Sequence, residues 1–232
     1  MISAQAQARV FNMKNESVGS YLMFGAGGSL IKQQAFEGES VADTYDSEVK
    51  NNYSGEFGII TGAGPVAILF GMEIIQPTPL KEVVAKQNGT EVYSFDSTIQ
   101  VYTPKIGLNI NLKTGSIYRI FVSGSAGYAT AQIKNDYKTV TLSAGDHEVA
   151  IKGSTLSYSA GFGVEFFLMD TTTLVIGGDY RFMRFRDLRF GKDITTFTGV
   201  KTSGDSVTTI SDTKRDLDLS GAVMNLGFRF YF

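Results

Sequence analysis

Residues 222–232 constrain this chain more than any other stretch. Met224, Leu226, Phe228, Phe230 and Phe232 are apolar, while Asn225, Gly227, Arg229 and Tyr231 between them are small, polar or amphipathic. A period of two is the signature of a β-strand with two unlike faces. A strand that carries a row of aromatics on one face must have that face covered. Earlier segments of the chain or lipid can do it.

The same alternation recurs along the chain. Between Ser20 and Leu30, Leu22, Phe24 and Ala26 share a face opposite Tyr21, Met23 and Gly25. Strands are predicted over Tyr53–Thr61 and Val66–Gln76, joined by a tight turn at Gly62-Ala63-Gly64-Pro65. A fourth runs from Phe95 to Leu112. Its lower half sets Ile106, Leu108, Ile110 and Leu112 against Lys105, Gly107 and Asn109, and its apolar phase changes at Pro104, which predicts a β-bulge there. Tyr118, Ile120 and Val122 open a fifth strand, Leu156 to Leu168 form a sixth, and Leu174 to Phe182 a seventh. The terminal stretch makes the eighth. Long polar connections are expected over 31–52, from Pro77 past Asn88-Gly89, over 132–153, and between the last two strands. Leu80 to Lys86 reads as one helical turn within the second of them.

Alternation alone does not separate a water-soluble barrel, apolar inside, from a membrane barrel, apolar outside. Three features favour lipid. Short turns alternate with long connections, as when one end of every hairpin lies on one side of a membrane. The polar face is built of glycine, serine and a few charges, whereas a water-facing surface is rich in lysine and glutamate. In strand seven, roughly 10 residues from its turn, outward positions change from Phe182 to Arg184 and Arg186, matching the ~9–11 residues of a tilted membrane strand. No run approaches the ~18 apolar residues of a membrane helix.

The terminal Phe228-Arg229-Phe230-Tyr231-Phe232, the strand Gly161-Phe162-Gly163-Val164-Glu165-Phe166 and Ser125-Ala126-Gly127-Tyr128 together resemble the small eight-stranded outer-membrane barrels of Gram-negative bacteria, of the OmpA, OmpX and OmpW type. The resemblance spans about residues 18–232 and is one of architecture. It implies an all-β fold: an eight-stranded antiparallel up-and-down transmembrane β-barrel with short periplasmic turns, four long extracellular loops, both chain ends periplasmic and a monomeric state. It also implies that Phe228, Phe230 and Phe232 form the signal read by the barrel-assembly machinery. Residues 1–17 are expected to be a periplasmic segment or a signal-peptide remnant, since Ala6-Gln7-Ala8 has the form of a cleavage site.

An eight-stranded barrel is just wide enough inside for side chains. Glu56, Glu73, Glu165 and Asp179 with Arg119, Arg181 and Arg229 are therefore expected to pair across the lumen, because unpaired buried charges are costly. The basic run Arg184, Arg186, Arg189 and Lys192 at the loop end of strand seven suits the phosphates of lipopolysaccharide, which guanidinium groups bind bidentately; an ordinary solvated strand extension is the alternative. The lone histidine, His147 in Gly145-Asp146-His147-Glu148, could in principle serve a hydrolase, but a single loop histidine reads as surface. With no cysteine, no metal-ligand pattern and no phosphate loop, neither cofactor nor enzymatic activity is expected. A net charge of −2 argues against nucleic acid.

The expected function is that of a plugged barrel acting through its outer loops in envelope integrity, adhesion or binding of an unidentified partner. The alternative is a narrow OmpW-like channel or transporter for small or hydrophobic solutes. A charge network across the lumen favours the first, an apolar pocket at the loop end the second.

Overall fold

A computed structural model of the chain describes residues 18–31, 44–45, 49–140, 148–169, 171–196, 199–208 and 214–232. The 1–17 segment and His147, with Gly145 and Asp146, lie outside the described residues. Eight long strands, β1 (Val18–Ile31), β2 (Val49–Ala63), β3 (Val66–Pro77), β4 (Thr90–Thr114), β5 (Tyr118–Val140), β6 (Glu148–Met169), β7 (Thr172–Phe185) and β8 (Gly221–Tyr231), form an antiparallel ring. Each pairs with its chain neighbours, and β8 closes on β1 in a register that sets Leu22 beside Phe228 and Phe24 beside Leu226. Closure matters in lipid, where a free sheet edge would leave backbone groups without partners.

Through the lower part of the ring the expected faces hold. Leu22, Phe57, Phe70, Leu108, Phe162, Ile176, Met224 and Leu226 point outward and are exposed, whereas Tyr21, Asn109, Arg119, Glu165 and Arg229 are buried inside. The turn end is tight. Ala63 pairs with Val66 across a two-residue turn in which Gly64 has φ +61°, the positive value that a type II′ hairpin needs at its first central position.

The upper part departs from the sequence expectation in three ways. First, β4, β5 and β6 run 25, 23 and 22 residues, so 132–140 and 148–153 of the connection expected over 132–153 are strand, and β2 already begins at Val49 within the one expected over 31–52. Second, β4 has no register shift at Pro104. Tyr102 pairs with Thr130 and Lys105 with Gly127 without a step, and the shifts fall at Ser94/Phe95 and Asn111/Lys113. What changes at Pro104 is the surroundings. Below it Ile106, Leu108 and Ile110 face out; above it Val101, Ile99, Phe95 and Tyr93 face in and are buried, with Thr98 on the outer face exposed. Lipid outside reverses to water outside, and the apolar residues move to the opposite face of an unbroken strand.

Third, Leu80–Gln87 is a strand, paired with the start of β4 through Asn88-Gly89, where φ values of +50° and +77° suit a type I′ turn. Leu80 and Val83 look helically spaced because a bulge separates them. The register slips between these two residues and Glu82 takes φ +54°, so both turn toward the core.

The upper walls of β4–β6 enclose an apolar core. Tyr93, Phe95, Ile99, Val101, Ala131, Ile133, Tyr137 and Ile151 pack there against Leu188, Phe190, Ile194, Val207, Leu217 and Leu219 of the β7–β8 connection. That connection is folded inward as a lid, braced within itself by Val207 N–H to the Leu188 carbonyl at 2.8 Å and tied to the wall by Leu219 N–H to the Met183 carbonyl at 2.8 Å and Gly191 N–H to the Ala150 carbonyl at 2.8 Å.

This division predicts opposite responses to one substitution on outward positions. Leu226→Arg, in the apolar band, should destabilise the folded barrel by about 2–4 kcal/mol, whereas Thr98→Arg, on the outer face above Pro104, should change stability by under about 1 kcal/mol. Urea unfolding followed by the folded-to-unfolded gel mobility shift measures both; equal losses would refute the reversal.

Candidate functional site

The polar lumen contains two ion clusters. Nearer the turn end, Glu165 is wholly buried between β5, β7 and β8. Arg229 Nη1 donates to its Oε2 at 2.7 Å and Arg119 Nη1 to the same oxygen at 3.4 Å. Thr173 and the Tyr231 hydroxyl each donate to Oε1 at 2.6 Å, and Tyr231 accepts from Arg119 at 3.1 Å. Arg229 also stacks over Phe121, 5.0 Å from the ring centroid.

Nearer the loop end, Glu56 and Glu73 stand directly opposite each other on β2 and β3. Such a like-charged pair is unfavourable alone. Lys105 resolves it, its Nζ lying 2.6 Å from Glu56 and 3.3 Å from Glu73. Arg181 reaches Glu73 at 2.9 Å, Asn52 at 2.7 Å and the Leu219 carbonyl of the lid at 3.5 Å. Tyr21 donates to Glu56 at 2.7 Å; its ring occupies space left by Gly58 and Gly71, where an added Cβ would collide with the hydroxyl.

Asp179, the seventh residue expected in the network, stands apart from both clusters. It accepts from Ser123 at 2.9 Å and from the Asn225 amide, over Gly161, where a Cβ would collide with it. Between the clusters is a cavity of about 80 Å³, lined in part by Tyr21, Glu56, Lys105, Ser123, Asp179 and Arg229.

The sequence reading of the lumen missed Lys105, although its parity with Gly107 and Asn109 placed it on the polar face. With it the span holds Glu56, Glu73, Glu165 and Asp179 against Lys105, Arg119, Arg181 and Arg229, four of each sign among the described residues. Also missed were Tyr21, Tyr231 and Asn52, whose polar atoms complete the shells, and Arg215, buried in the lid.

At the rim, most of the expected cations already have carboxylate partners. Arg184 pairs with Asp216, Arg189 with Asp187 at 2.7 Å, and Lys192 is 3.8 Å from Glu148. Arg186 is exposed just beyond β7, with no ion pair among the described residues. Hydrogen bonds from Arg189 and then Lys214 hold the Asp187 carboxyl below its usual range. Of the terminal aromatics, Phe230 and Phe232 are exposed on the outer face and Phe228 is half-buried, its ring 6.5 Å from that of Phe230.

Glu165→Gln should cost about 3–5 kcal/mol in urea unfolding, because two buried guanidinium groups lose their counter-charge; adding Arg229→Met should recover part of that loss. At the rim, the Asp187 contribution is complete above the ordinary value of 3.8 and is lost as pH falls through its lower folded value. Amide-exchange protection of Phe190 and Val207, which are bonded within the lid, should therefore drop on acidification into that range. Unchanged protection would separate Asp187 from the lid's hold.

No protein-family model matches the chain, and no curated protein matches it in sequence. Solved structures do match. A major outer membrane protein from Thermus thermophilus superposes with a TM-score of 0.56 at 14% identity, over 92% of this chain and 99% of that one. The outer membrane protease OmpT from Escherichia coli gives 0.51 at 5% identity, over 97% and 99%. Ail, the attachment invasion locus protein of Yersinia pestis, gives 0.47 at 12%, over 94% and 99%. At these identities the first two likenesses are of fold alone, and that fold is the transmembrane β-barrel of outer-membrane proteins.

Proposed function

We propose that the protein is a sealed outer-membrane barrel, with its chain ends periplasmic, that acts through its loop-end surface in envelope integrity, adhesion or partner binding. The observation that carries this reading is the double closure of the lumen. The Glu56–Lys105–Glu73–Arg181 cluster spans the interior, and the apolar lid of Leu217, Leu219 and their neighbours packs directly above it. An ion would have to part a satisfied charge cluster and then cross an apolar core. The upper walls of β4–β6 extend the sheet into the loop-end surface.

Two contacts complete the reading. The exposed Phe230 and Phe232 with Phe228 suit recognition by the barrel-assembly machinery. The rim around Arg184, Arg186, Arg189 and Lys192 suits phosphates of lipopolysaccharide, Arg186 being the member with a charge to spare. No enzymatic role is proposed.

Single-channel recording of the refolded protein in a planar bilayer tests the closure. No discrete conductance is expected from the wild type, and none from Glu73→Gln/Arg181→Gln, because the lid remains. Reproducible steps in the wild type would overturn the sealed barrel in favour of a narrow channel; steps in the double variant alone would remove the lid as a second seal.

A further inference from the structure

Asp179 is the lumen charge that direct contacts leave unexplained. The turn-end cluster sets Arg119 and Arg229 against the single carboxylate of Glu165, and so carries one cation in excess. The loop-end cluster balances, with Lys105 and Arg181 against Glu56 and Glu73. Asp179, which has no ion pair among the described residues, is therefore the charge that makes the span neutral. It does so without touching a guanidinium: its two oxygens accept from Ser123 and from the Asn225 amide. Each oxygen keeps a lone pair to spare.

Arg229 has the matching deficit. It is only 3% exposed, its Nη1 donates to Glu165 at 2.7 Å, and its Nη2 donates to Asn109 at 2.7 Å when that amide presents its oxygen. Its Nε is buried with no acceptor among the described residues, and a buried donor left bare is costly. Arg229, the Phe121 ring under its guanidinium and Asp179 all line the cavity of about 80 Å³ between the clusters. A water needs about 10–15 Å³ of such space, so several fit. The Ser125 and Ser159 hydroxyls, 2.8 Å apart, supply further partners on the wall, and cavities that stay dry are apolar ones. An ion there would break the neutrality of the span. The occupant that fits is neutral and both accepts and donates.

We propose that ordered water fills this cavity and links Arg229 Nε, as donor, to Asp179, as acceptor, so that Asp179 neutralises the turn-end cluster through water rather than by contact. The same water reaches Lys105 and Glu56 on the cavity wall and joins the two clusters into one hydrogen-bonded network. Gly107 keeps the space open. A Cβ added to it would meet Leu69 Cβ at 3.4 Å, an ordinary contact, so a larger side chain there enters the cavity without moving the backbone. The water site lies beneath the lid and does not depend on whether the mouth is sealed.

X-ray radiolysis of the refolded full chain, read by mass spectrometry, tests the water directly. Hydroxyl radicals born from bound water oxidise the side chains beside it. Met23 lines the cavity, whereas Met183 is buried in the apolar upper core. With a bulk radical scavenger present, Met23 should be oxidised several-fold faster than Met183, and Gly107→Val should bring it down to the Met183 rate. Equal rates in the wild type, a comparison that needs no variant, would mean a dry cavity and overturn the proposal. So would a Met23 rate that folded Gly107→Val leaves unchanged. In urea unfolding, the losses from Asp179→Asn and Arg229→Gln should fall about tenfold short of additive in the folding constant. Additive losses would show that Asp179 answers only to Ser123 and Asn225, and would overturn the link. Neither readout involves conductance, so a failure here leaves the sealed barrel to its own test.

Discussion

Closing eight strands into a ring is the constraint on which the rest depends. It satisfies the backbone in a medium with no water to offer, and it leaves an interior only as wide as the side chains that fill it. Charges placed there must satisfy one another. Glu165, wholly buried, meets this requirement with two guanidinium groups, a threonine and a tyrosine; Glu56 and Glu73 meet it by sharing Lys105. The narrow lumen thus turns polar residues into the interior structure of the span.

The second consequence is the reversal above Pro104. A strand that leaves lipid for water keeps its pleat and its register, so the same alternating positions must take on opposite chemistry. Phe95, Ile99 and Val101 of β4 then line a core that the β7–β8 connection fills from within. A single polypeptide ring is therefore inside-out at one end and conventionally packed at the other, and the charge cluster containing Arg181 sits beneath the join, bonded to the lid at Leu219.

The lid also explains the rim. With the described parts of the connection packed inward, Asp216 ties it to Arg184 of β7, while Asp187 pairs with Arg189 and Lys214 within it. On β6, Lys152 stands opposite Arg189 across the strand pair. Surface electrostatics here follows from how the connection packs.

The barrel, its eight strands, its faces and its tight turns were legible in the sequence, because a period of two and the residues of a hairpin act locally. So were seven of the lumen charges, since parity alone places a residue inside. Lys105 has the same parity, but only the direct opposition of Glu56 and Glu73 reveals the need for a shared cation, and that opposition is a matter of register. The phase change at Pro104 was visible and misread as a bulge, because a sequence records polarity without saying whether lipid or water lies beyond it. Leu80 and Val83 looked helical because a bulge at Glu82 gives strand residues a helical spacing. The lid, the enclosed core and the Lys152–Arg189 pair were decided by tertiary structure alone: each joins segments far apart in the chain, and long-range packing leaves no periodic trace in the residues that take part in it.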